Sequence, residues 1–312
     1  MYNFNIPVLI TIWDRPEYVK QLLEVLSIIK PVKLFIFSDI TNEIESIRYK
    51  KILESRSLIN KYVNWDATIY YRYNSYNEGP ALGLYNAISW AFEKVDKLII
   101  LEHDYIPSIS FFPYCEELLN KYQEDERIWI ISGLNHFEGK YNLNNNDSYF
   151  FSKYASIAGF ATWKRCWNDV DIFLKKWPLF LKNNYRFDHL NKKEWKTAYL
   201  KYNKFYKNRI LQNNINTWDM QFVFNIWSHG GTGIVPSKNL IKMIGIDGYN
   251  TKNPSPFHFL KTYDDYKITK HPDFIQNNWL YDYNYYKRGY FYFKKNIFKR
   301  ILRKIKRILK NI

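Results

Sequence analysis

The sequence predicts an α/β protein built on a mostly parallel β-sheet flanked by helices, with a helical insertion and a C-terminal amphipathic helix. In the first 133 residues, short apolar runs alternate with segments whose apolar side chains recur at helical spacing. Such alternation is typical of βαβ crossovers, which join parallel strands. The alternation then stops, and residues 167–216 have a helical tendency. Residues 287–312 combine an apolar stripe with Lys and Arg, which predicts the amphipathic helix.

The individual elements follow in chain order from apolar runs and helical periodicity. Strands are predicted at 7–13, 33–37, 68–72, 98–101 and 128–131. Helices are predicted at 16–29, 41–60 and 80–92, and Pro107 with Ser108 is expected to open another. Further on, 141–148 is expected to be a polar loop and 217–227 a helix. The carboxyl ends of the parallel strands should therefore share one edge of the sheet.

The composition indicates a folded protein with one large domain. A chain of 312 residues, 46% hydrophobic and 20% aromatic, can bury a sizeable core. We expect a domain over 1–286, divided into 1–133 and 134–286, and a separate segment at 287–312. Cys115 and Cys166 have no ligand spacing, which indicates a reducing compartment and two core thiols. The first apolar run stops at Asp14, so no signal peptide or membrane span is expected there, and we expect a cytoplasmic protein.

The most informative stretch is 97–112, where an apolar strand runs directly into Glu102, His103 and Asp104. In an open α/β sheet, ligands bind at the carboxyl edge of the strands. Two carboxylates with one residue between them can share a hard cation that also holds a diphosphate. Acids after a strand are otherwise ordinary solvated turn residues, so the hypothesis needs support from elsewhere in the chain.

Two other loops are expected at the same edge of the sheet. Arg15 follows the first strand and can meet a phosphate, while Asp39 follows the second and can accept hydrogen bonds from a base or ribose. Each residue alone could be a surface charge or a turn cap. A nucleotide lying across the edge would explain both of them together with the acidic loop.

Several common active-site patterns are absent from the sequence. Gly79 and Gly83 match neither G-x-G-x-x-G nor a P-loop, so dinucleotide and P-loop chemistry have no support. The histidines lack the paired spacing of a zinc site. A Ser-His-Asp hydrolase is not supported either, because no G-x-S-x-G motif occurs.

The second half contributes two further candidate features. Gly159, Phe160 and Trp163 place a small residue beside aromatics, which suits a sugar face but also an ordinary close-packed corner. Asp219 follows Trp218 in the first turn of a predicted helix, where the helix dipole stabilises a negative charge. The dipole also explains this acid without any function.

The positive charge of the chain is concentrated at its end. Residues 287–312 contain eleven Lys or Arg and no acid, and so carry most of the formal net charge of +16. A basic amphipathic helix lies in a membrane interface, where each cation near anionic lipid contributes roughly 1 kcal/mol. The apolar stripe could instead dock on the protein's own core, or the basic face could bind nucleic acid. Nucleic-acid binding does not require so continuous a stripe, so we predict an anionic membrane surface, contacted through 294–312.

Four segments together resemble GT-A-fold nucleotide-sugar glycosyltransferases, and bacterial relatives of N-acetylglucosaminyltransferase I most of all. They are VLITIWDRPEYVKQLL, LIILEHDYIPSISFF, SIAGFATWKRCWNDVD, and WDMQFVFNIW followed by VPSKNLIKMIGIDG. The resemblance extends from about residue 7 to residue 253. It implies a GT-A (Rossmann-like) domain in which 1–133 binds the nucleotide and 134–286 binds the acceptor.

The resemblance also implies roles for individual residues. Asp104 matches the metal-binding last acid of the family's acidic triplet, which holds Mn2+ or Mg2+, and Asp219 matches the general base. The implied nucleotide-sugar ligands are Thr11, Arg15, Asp39, Glu102 and His103. The implied acceptor or sugar wall is Gly159, Phe160, Trp163 and Trp218. His103 replaces the middle acid of the triplet, so the family's donor preference does not carry over directly.

The expected activity is a metal-dependent, inverting transfer of a sugar from a nucleoside diphosphate sugar to a cell-envelope glycan or a lipid-linked acceptor. UDP and an N-acetylhexosamine are implied by the resemblance alone. The protein would act in the cytoplasm, on the inner face of the membrane. Two alternatives stay open, a nucleotidyltransferase on a similar fold and a noncatalytic protein that binds membranes or nucleic acid.

Overall fold

A computed structural model describes residues 4–137, 146–246 and 256–288. The strands are β1 Val8–Ile12, β2 Lys33–Ser38, β3 Thr68–Tyr73, β4 Lys97–Glu102, β5 Tyr105–Pro107, β6 Ile128–Ser132, β7 Tyr149–Ser152, β8 Phe160–Trp163, β9 Thr232–Pro236 and β10 Ile241–Met243. The α-helices are α1 Pro16–Ile29, α2 Ile47–Tyr62, α3 Gly79–Phe92, α4 Phe111–Lys121, α5 Lys164–Trp167, α6 Lys176–Lys182, α7 Lys192–Phe205 and α8 Asp219–Ser228. A π-helical turn at Tyr206–Ile210 follows α7, a 3-10 helix spans Pro256–Phe259, and a final helix, α9, covers 279–288.

An eight-stranded sheet in the order β3-β2-β1-β4-β8-β6-β9-β7 forms the centre of the protein. The strands β3, β2, β1 and β4 are all parallel to one another, as the alternation in the sequence predicts. Thr11 pairs with Glu102, and Ile12 pairs with Ser38. The carboxyl ends of β1, β2 and β4 therefore lie at one edge of the sheet, and the predicted α/β fold with a mostly parallel sheet is confirmed.

The second half of the sheet is mixed in direction. Strand β8 runs antiparallel to both of its neighbours, β4 and β6, while β9 is parallel to β6 and β7 closes the edge antiparallel to β9. The sequence analysis does not predict β7 or β8. Segment 160–163, expected there as a possible sugar wall, is a fully buried strand in the middle of the sheet.

Two boundaries predicted from sequence are wrong. Pro107 and Ser108 do not open a helix, because β5 pairs antiparallel with β10 in a separate two-stranded sheet and α4 begins only at Phe111. Helix α2 begins at Ile47 rather than at 41, since Ser46 caps it by accepting a hydrogen bond from the Tyr49 N–H at 3.1 Å.

The two larger of the three apolar clusters among the described residues stabilise the sheet and the helical insertion. The larger one lies between the sheet and its helices, and α1 contributes Val19, Leu22 and Leu26 at helical spacing. The second one lies within the predicted insertion, 167–216, and includes Trp177 from α6 and Tyr202 from α7, packed against Phe224 of α8. The insertion is thus helical, as expected, and has a small core of its own.

Part of the sequence analysis concerns residues outside the described ranges. The predicted amphipathic helix falls there except for 287–288, as do 141–145 of the predicted polar loop. Among the helices that the structure describes, none is both long and apolar enough to cross a membrane.

Candidate active site

The loop after β4 is bound to the end of β1 at the carboxyl edge of the sheet. The His103 N–H donates to the Thr11 carbonyl oxygen at 3.0 Å, and His103 Nδ1 lies 3.3 Å from the same oxygen. Burial lowers the pKa of His103, the negative charge of Asp104 opposes this shift, and the positive charge of Arg15 adds to it. Thr11, Arg15, His103 and Asp104 are therefore neighbours at this edge of the sheet.

Three carboxylates are close enough to influence each other at this edge. Removal from solvent, together with the negative charges of Asp104 and Asp219, raises the pKa of Glu102 to about 8. Glu102 and Asp219 also line the same cavity, of about 380 Å³. The structure thus brings Asp219 to the acidic loop across more than a hundred residues of sequence.

Asp219 is held at the first position of α8. The Thr217 hydroxyl donates to Asp219 Oδ1, whereas no donor within the described ranges contacts Oδ2. Buried Gln221 fixes the preceding turn, because its Nε2 donates to the Thr217 carbonyl at 2.9 Å and to the Ile172 carbonyl at 3.0 Å. One oxygen of Asp219 is thereby oriented by the protein while the other can accept a proton.

The acidic loop contains two carboxylates, Glu102 and Asp104, of the kind that bind divalent cations. The Ile244 N–H donates to the Asp104 carbonyl oxygen at 2.9 Å, and a Cβ added to Gly245 would lie 2.5 Å from Asp104 Oδ2, so only glycine leaves room beside this carboxylate. A cation would offset the repulsion that raises the pKa of Glu102. No group of three or more His, Cys, Asp or Glu that could hold a metal occurs within the described residues. Asp104 and Glu102 would therefore supply only part of the oxygen ligands that such ions take.

Asp39 has a clear local role at the same edge. Its carboxylate accepts the Gly79 N–H at 2.9 Å, the Glu78 N–H at 3.2 Å and Asn74 Nδ2 at 3.2 Å. These bonds hold the loop that leads into α3, as expected of a turn cap. The predicted contact of Asp39 with a base or ribose stays a prediction.

The predicted sugar wall is only partly assembled at the cavity. Trp218 lines it, and Phe160 stacks behind Trp218 with ring centroids 6.0 Å apart. Trp163 is not brought to the site, because it pairs with Lys97 at the opposite end of β4 and its indole N–H donates to the Leu119 carbonyl. Gly159 has a φ of +62°, and an added Cβ would lie 2.5 Å from Ile241 Cδ1. Gly159 therefore matches the alternative interpretation of a close-packed corner.

Three aromatic or histidine side chains of the cavity are missed by the sequence analysis. They are Tyr105, His136 and Phe257. Tyr105 lies within the influence of all three carboxylates, which together with burial raise its pKa far above the usual range. His136 and Phe257 come from segments without a recognisable motif, so no spacing in the sequence could have indicated them.

Comparisons with known proteins show a likeness at low similarity. No protein-family model matches the sequence, and no curated protein matches it. The similar solved structures include Staphylococcus aureus TarS 1–349, with 11% identity over 76% of this chain and 59% of that one, at a TM-score of 0.42. A second is the Pyrobaculum calidifontis mannosyltransferase PcManGT in complex with GDP-Man and Mn2+, with 10% identity over 64% and 52% of the two chains and a TM-score of 0.38.

A third similar structure is the Mycobacterium tuberculosis glucosyl-3-phosphoglycerate synthase in complex with Mn2+, UDP and glucosyl-3-phosphoglycerate. It has 13% identity over 41% of this chain and 43% of that one, at a TM-score of 0.26. The chain thus spans 43% to 59% of the length of these three structures. Such low identities and TM-scores carry no argument about function, which must come from the residues of the site.

Proposed function

We propose that this protein is a metal-dependent, inverting glycosyltransferase that uses a nucleoside diphosphate sugar. The proposal depends chiefly on one observation, that Glu102 and Asp219 line a single cavity at the carboxyl edge of the parallel strands while Asp104 lies close enough to perturb Glu102. This edge is where α/β proteins bind nucleotides. The resemblance noted in the sequence assigns Asp104 to metal binding, Asp219 to proton removal and Glu102 to the nucleotide sugar.

In the proposed mechanism the acids have separate tasks. Asp104, with Glu102 beside it, holds the divalent ion, which when bound neutralises the charge that develops on the departing diphosphate. Asp219 Oδ2 takes the proton of the acceptor hydroxyl. At the same time the acceptor's hydroxyl oxygen bonds to the anomeric carbon, and the bond from that carbon to the diphosphate oxygen breaks. Attack and departure on opposite sides of the carbon give inversion. Arg15, whose positive charge lies near His103, would meet a phosphate of the donor.

The choice of donor and acceptor belongs to the proposal as well. UDP as the nucleotide and an N-acetylhexosamine as the sugar are supported by the family resemblance. A cell-envelope glycan or a lipid-linked acceptor is supported by the basic segment 294–312, which would hold the protein on the inner face of the cytoplasmic membrane.

The last described helix adds support for a membrane location. On α9, Trp279 is 74% exposed and Tyr283 is 50% exposed, and the two lie one helical turn apart. Lys287 follows one turn later, with its Nζ 5.5 Å from the Tyr283 ring centroid. Trp and Tyr are enriched at membrane interfaces, and here they precede nine Lys or Arg in 294–312.

The first test of the proposed function is binding of donors by calorimetry. The purified protein, with and without Mn2+ or Mg2+, would be titrated with UDP-N-acetylglucosamine, UDP-glucose, GDP-mannose, UDP and GDP. We expect at least one donor to bind only with metal, and Asp104→Ala to abolish that binding. Asp169→Ala, at an exposed position, is the control and should bind as the unaltered protein does.

The alternatives predict different results in the same assays. A nucleotidyltransferase would release pyrophosphate rather than a nucleoside diphosphate from its substrates. A noncatalytic protein would bind no donor with or without metal, and strong RNA binding at physiological salt would favour that interpretation.

A further inference from the structure

The cavity that contains Glu102 and Asp219 also contains a histidine that the proposed mechanism does not use. His136 follows β6, lines the cavity and is only 7% exposed. Neither Nδ1 nor Nε2 has a hydrogen-bond partner in the part of the chain that the structure describes. Buried polar groups are almost always paired, so a ring with two unpaired nitrogens calls for a ligand or another explanation.

The surroundings of His136 are aromatic and keep the ring neutral. Phe257 packs edge-on against the imidazole with ring centroids 4.4 Å apart, and Tyr285 of α9 lies 5.2 Å away. Burial lowers the pKa of His136 to about 4. A neutral imidazole offers one N–H donor and one acceptor lone pair. This combination matches a hydroxyl group, which donates one hydrogen bond and accepts others.

We propose that His136 binds a hydroxyl group of the donor's sugar ring and thereby helps to select the sugar. The inference rests on the proposed function, because it requires a nucleotide sugar at Asp104. A sugar joined to a diphosphate at Asp104 would extend into the neighbouring volume, which Glu102, His136 and Trp218 line together. The cavity of about 380 Å³ is within the range of small-molecule sites, roughly 300–1,000 Å³.

Phe257 sets a condition on this contact. Because the nitrogens of His136 are shielded from solvent and Phe257 packs beside the imidazole with ring centroids 4.4 Å apart, we expect the Phe257 side chain to turn away when the sugar hydroxyl binds a nitrogen. The short 3-10 helix that carries Phe257 has no buried residue of its own, so this movement disrupts little of the core.

The test separates sugar recognition from nucleotide binding. Affinities for UDP or GDP and for the corresponding nucleotide sugars would be measured with metal for His136→Phe and His136→Asn. We expect His136→Phe to weaken binding of the preferred nucleotide sugar about fivefold to tenfold, the loss of one hydrogen bond, and to leave the nucleoside diphosphate unaffected. The Asn side chain keeps a hydrogen-bond donor and an acceptor, so His136→Asn should lose less affinity for the nucleotide sugar than His136→Phe does.

His189 provides a matched control. Burial likewise lowers its pKa to about 4, and its Nε2 also has no partner among the described residues, but it lies in the second apolar cluster beside Phe187 rather than in the cavity. His189→Phe should leave the affinity for nucleotide sugar unchanged. An equal loss in both variants would show a general structural effect and overturn the proposal.

Thermal stability supplies a second readout that a purely structural histidine would not give. Replacing an unpaired buried imidazole with phenyl removes an unsatisfied donor and acceptor, so His136→Phe should raise Tm by about 2 °C or more in the absence of ligand. A lower Tm together with weaker binding of UDP or GDP itself would contradict the inference. If the unaltered protein binds no donor at all, the proposed function fails, and this inference fails with it.

Discussion

At the scale of single residues, Asp219 differs from the other acids of the cavity in how it is held. The Thr217 hydroxyl contacts one of its oxygens, and the first turn of α8 places its negative charge at the positive end of the helix dipole. The charged form of Glu102 is instead disfavoured by burial and by the negative charges of two neighbouring acids. These different surroundings suit one acid for accepting a proton and the other for sharing a cation.

The general-base assignment gives a direct prediction. Asp219→Asn keeps the size of the side chain and its bond with Thr217 but cannot take a proton, so we expect sugar transfer to fall by about 10²- to 10⁴-fold. Metal-dependent binding of the donor should be preserved. The measurement is a transfer assay together with calorimetry, with Asp169→Asn as the control at an exposed position. Full activity of Asp219→Asn would exclude this role.

The sequence indicated the acids of the site and Trp218 but not the rest of its uncharged lining. Glu102, Asp104 and Asp219 could be found because a strand end and a helix start place acids at recognisable positions. His136 could not be found, since a lone histidine after a strand has the same local sequence whether it faces a cavity or the core. Trp163 was misplaced for a related reason, because its position depends on β8 running antiparallel beside β4.

At the scale of elements, a buried ion pair fixes the helical insertion to the sheet. Lys153, just after β7, approaches Glu194 Oε2 at 3.0 Å, and both side chains are buried. Glu194 is also part of the capping box of α7, and it accepts the Tyr154 hydroxyl at 3.1 Å. The pair therefore links the start of α7 to the end of an edge strand.

Breaking this pair should be costly because the Lys153 ammonium group loses its carboxylate partner in a largely buried position and keeps its hydrogen bond to the His189 carbonyl oxygen at 3.0 Å. We expect Glu194→Gln to lower the free energy of unfolding by about 3–5 kcal/mol, and Lys153→Met added to it to restore part of the loss. The exposed pair of Lys20 and Glu24, 3.8 Å apart, is the control. Glu24→Gln should cost less than about 1 kcal/mol. Urea unfolding would measure all four proteins, and equal losses for the two Glu→Gln changes would contradict the argument.

Helix α9 is attached to the same edge strand, β7, by a hydrogen bond to a carboxyl group with a raised pKa. The Ser152 hydroxyl donates to Asp282 Oδ1 at 2.5 Å, and the Asn278 N–H donates to the Phe151 carbonyl at 2.7 Å. Burial raises the pKa of Asp282 from 3.8 to about 6, although Ser152 and Lys153 oppose the shift. The folded protein therefore keeps this proton to a higher pH than the unfolded chain does.

The sign of the resulting pH dependence follows from linkage. A raised pKa contributes stability below about pH 4 that is lost as the pH rises through about 6. The side chain of Asp282→Asn stays uncharged at every pH and so does not lose this stability. The free energy of unfolding of the variant, relative to that of the unaltered protein, should therefore increase between pH 4 and 7 by roughly 3 kcal/mol, the equivalent of about two pKa units. Urea unfolding at several pH values, with Asp169→Asn as the control, would test this. A difference that does not vary with pH would disprove the contribution.

At the scale of the whole molecule, we predict that the C-terminal segment determines attachment to membranes. Removing 294–312 deletes nine Lys or Arg, each of which contributes roughly 1 kcal/mol near anionic lipid. The full chain should sediment with vesicles that contain phosphatidylserine and not with neutral vesicles, and the truncated chain should stay in the supernatant. Retention of the truncated chain on anionic vesicles would refute this attachment.

The overall architecture could be predicted for the first half of the chain and less well for the second. Strands β1, β2 and β4 were found because buried parallel strands leave strong apolar runs, and β3 was found from the order of alternating strands and helices although it is half exposed. Strand β5 was missed because Tyr105–Pro107 becomes a strand only by pairing with β10 more than a hundred residues later. The buried strand Tyr149–Ser152 likewise follows a polar run and is only four residues long.

The position of β8 between β4 and β6 has a consequence for the nascent chain during its synthesis on the ribosome. The parallel set β3-β2-β1-β4 is complete once Glu102 has left the ribosome, but the free edge of β4 stays open until Phe160 arrives and pairs with Ile100. Phe160 also pairs with Ser132 and so joins the two halves of the sheet. An open strand edge is a template for pairing with other chains. The edge of β4 is therefore open to pairing with other chains while residues 103–159 are being synthesised.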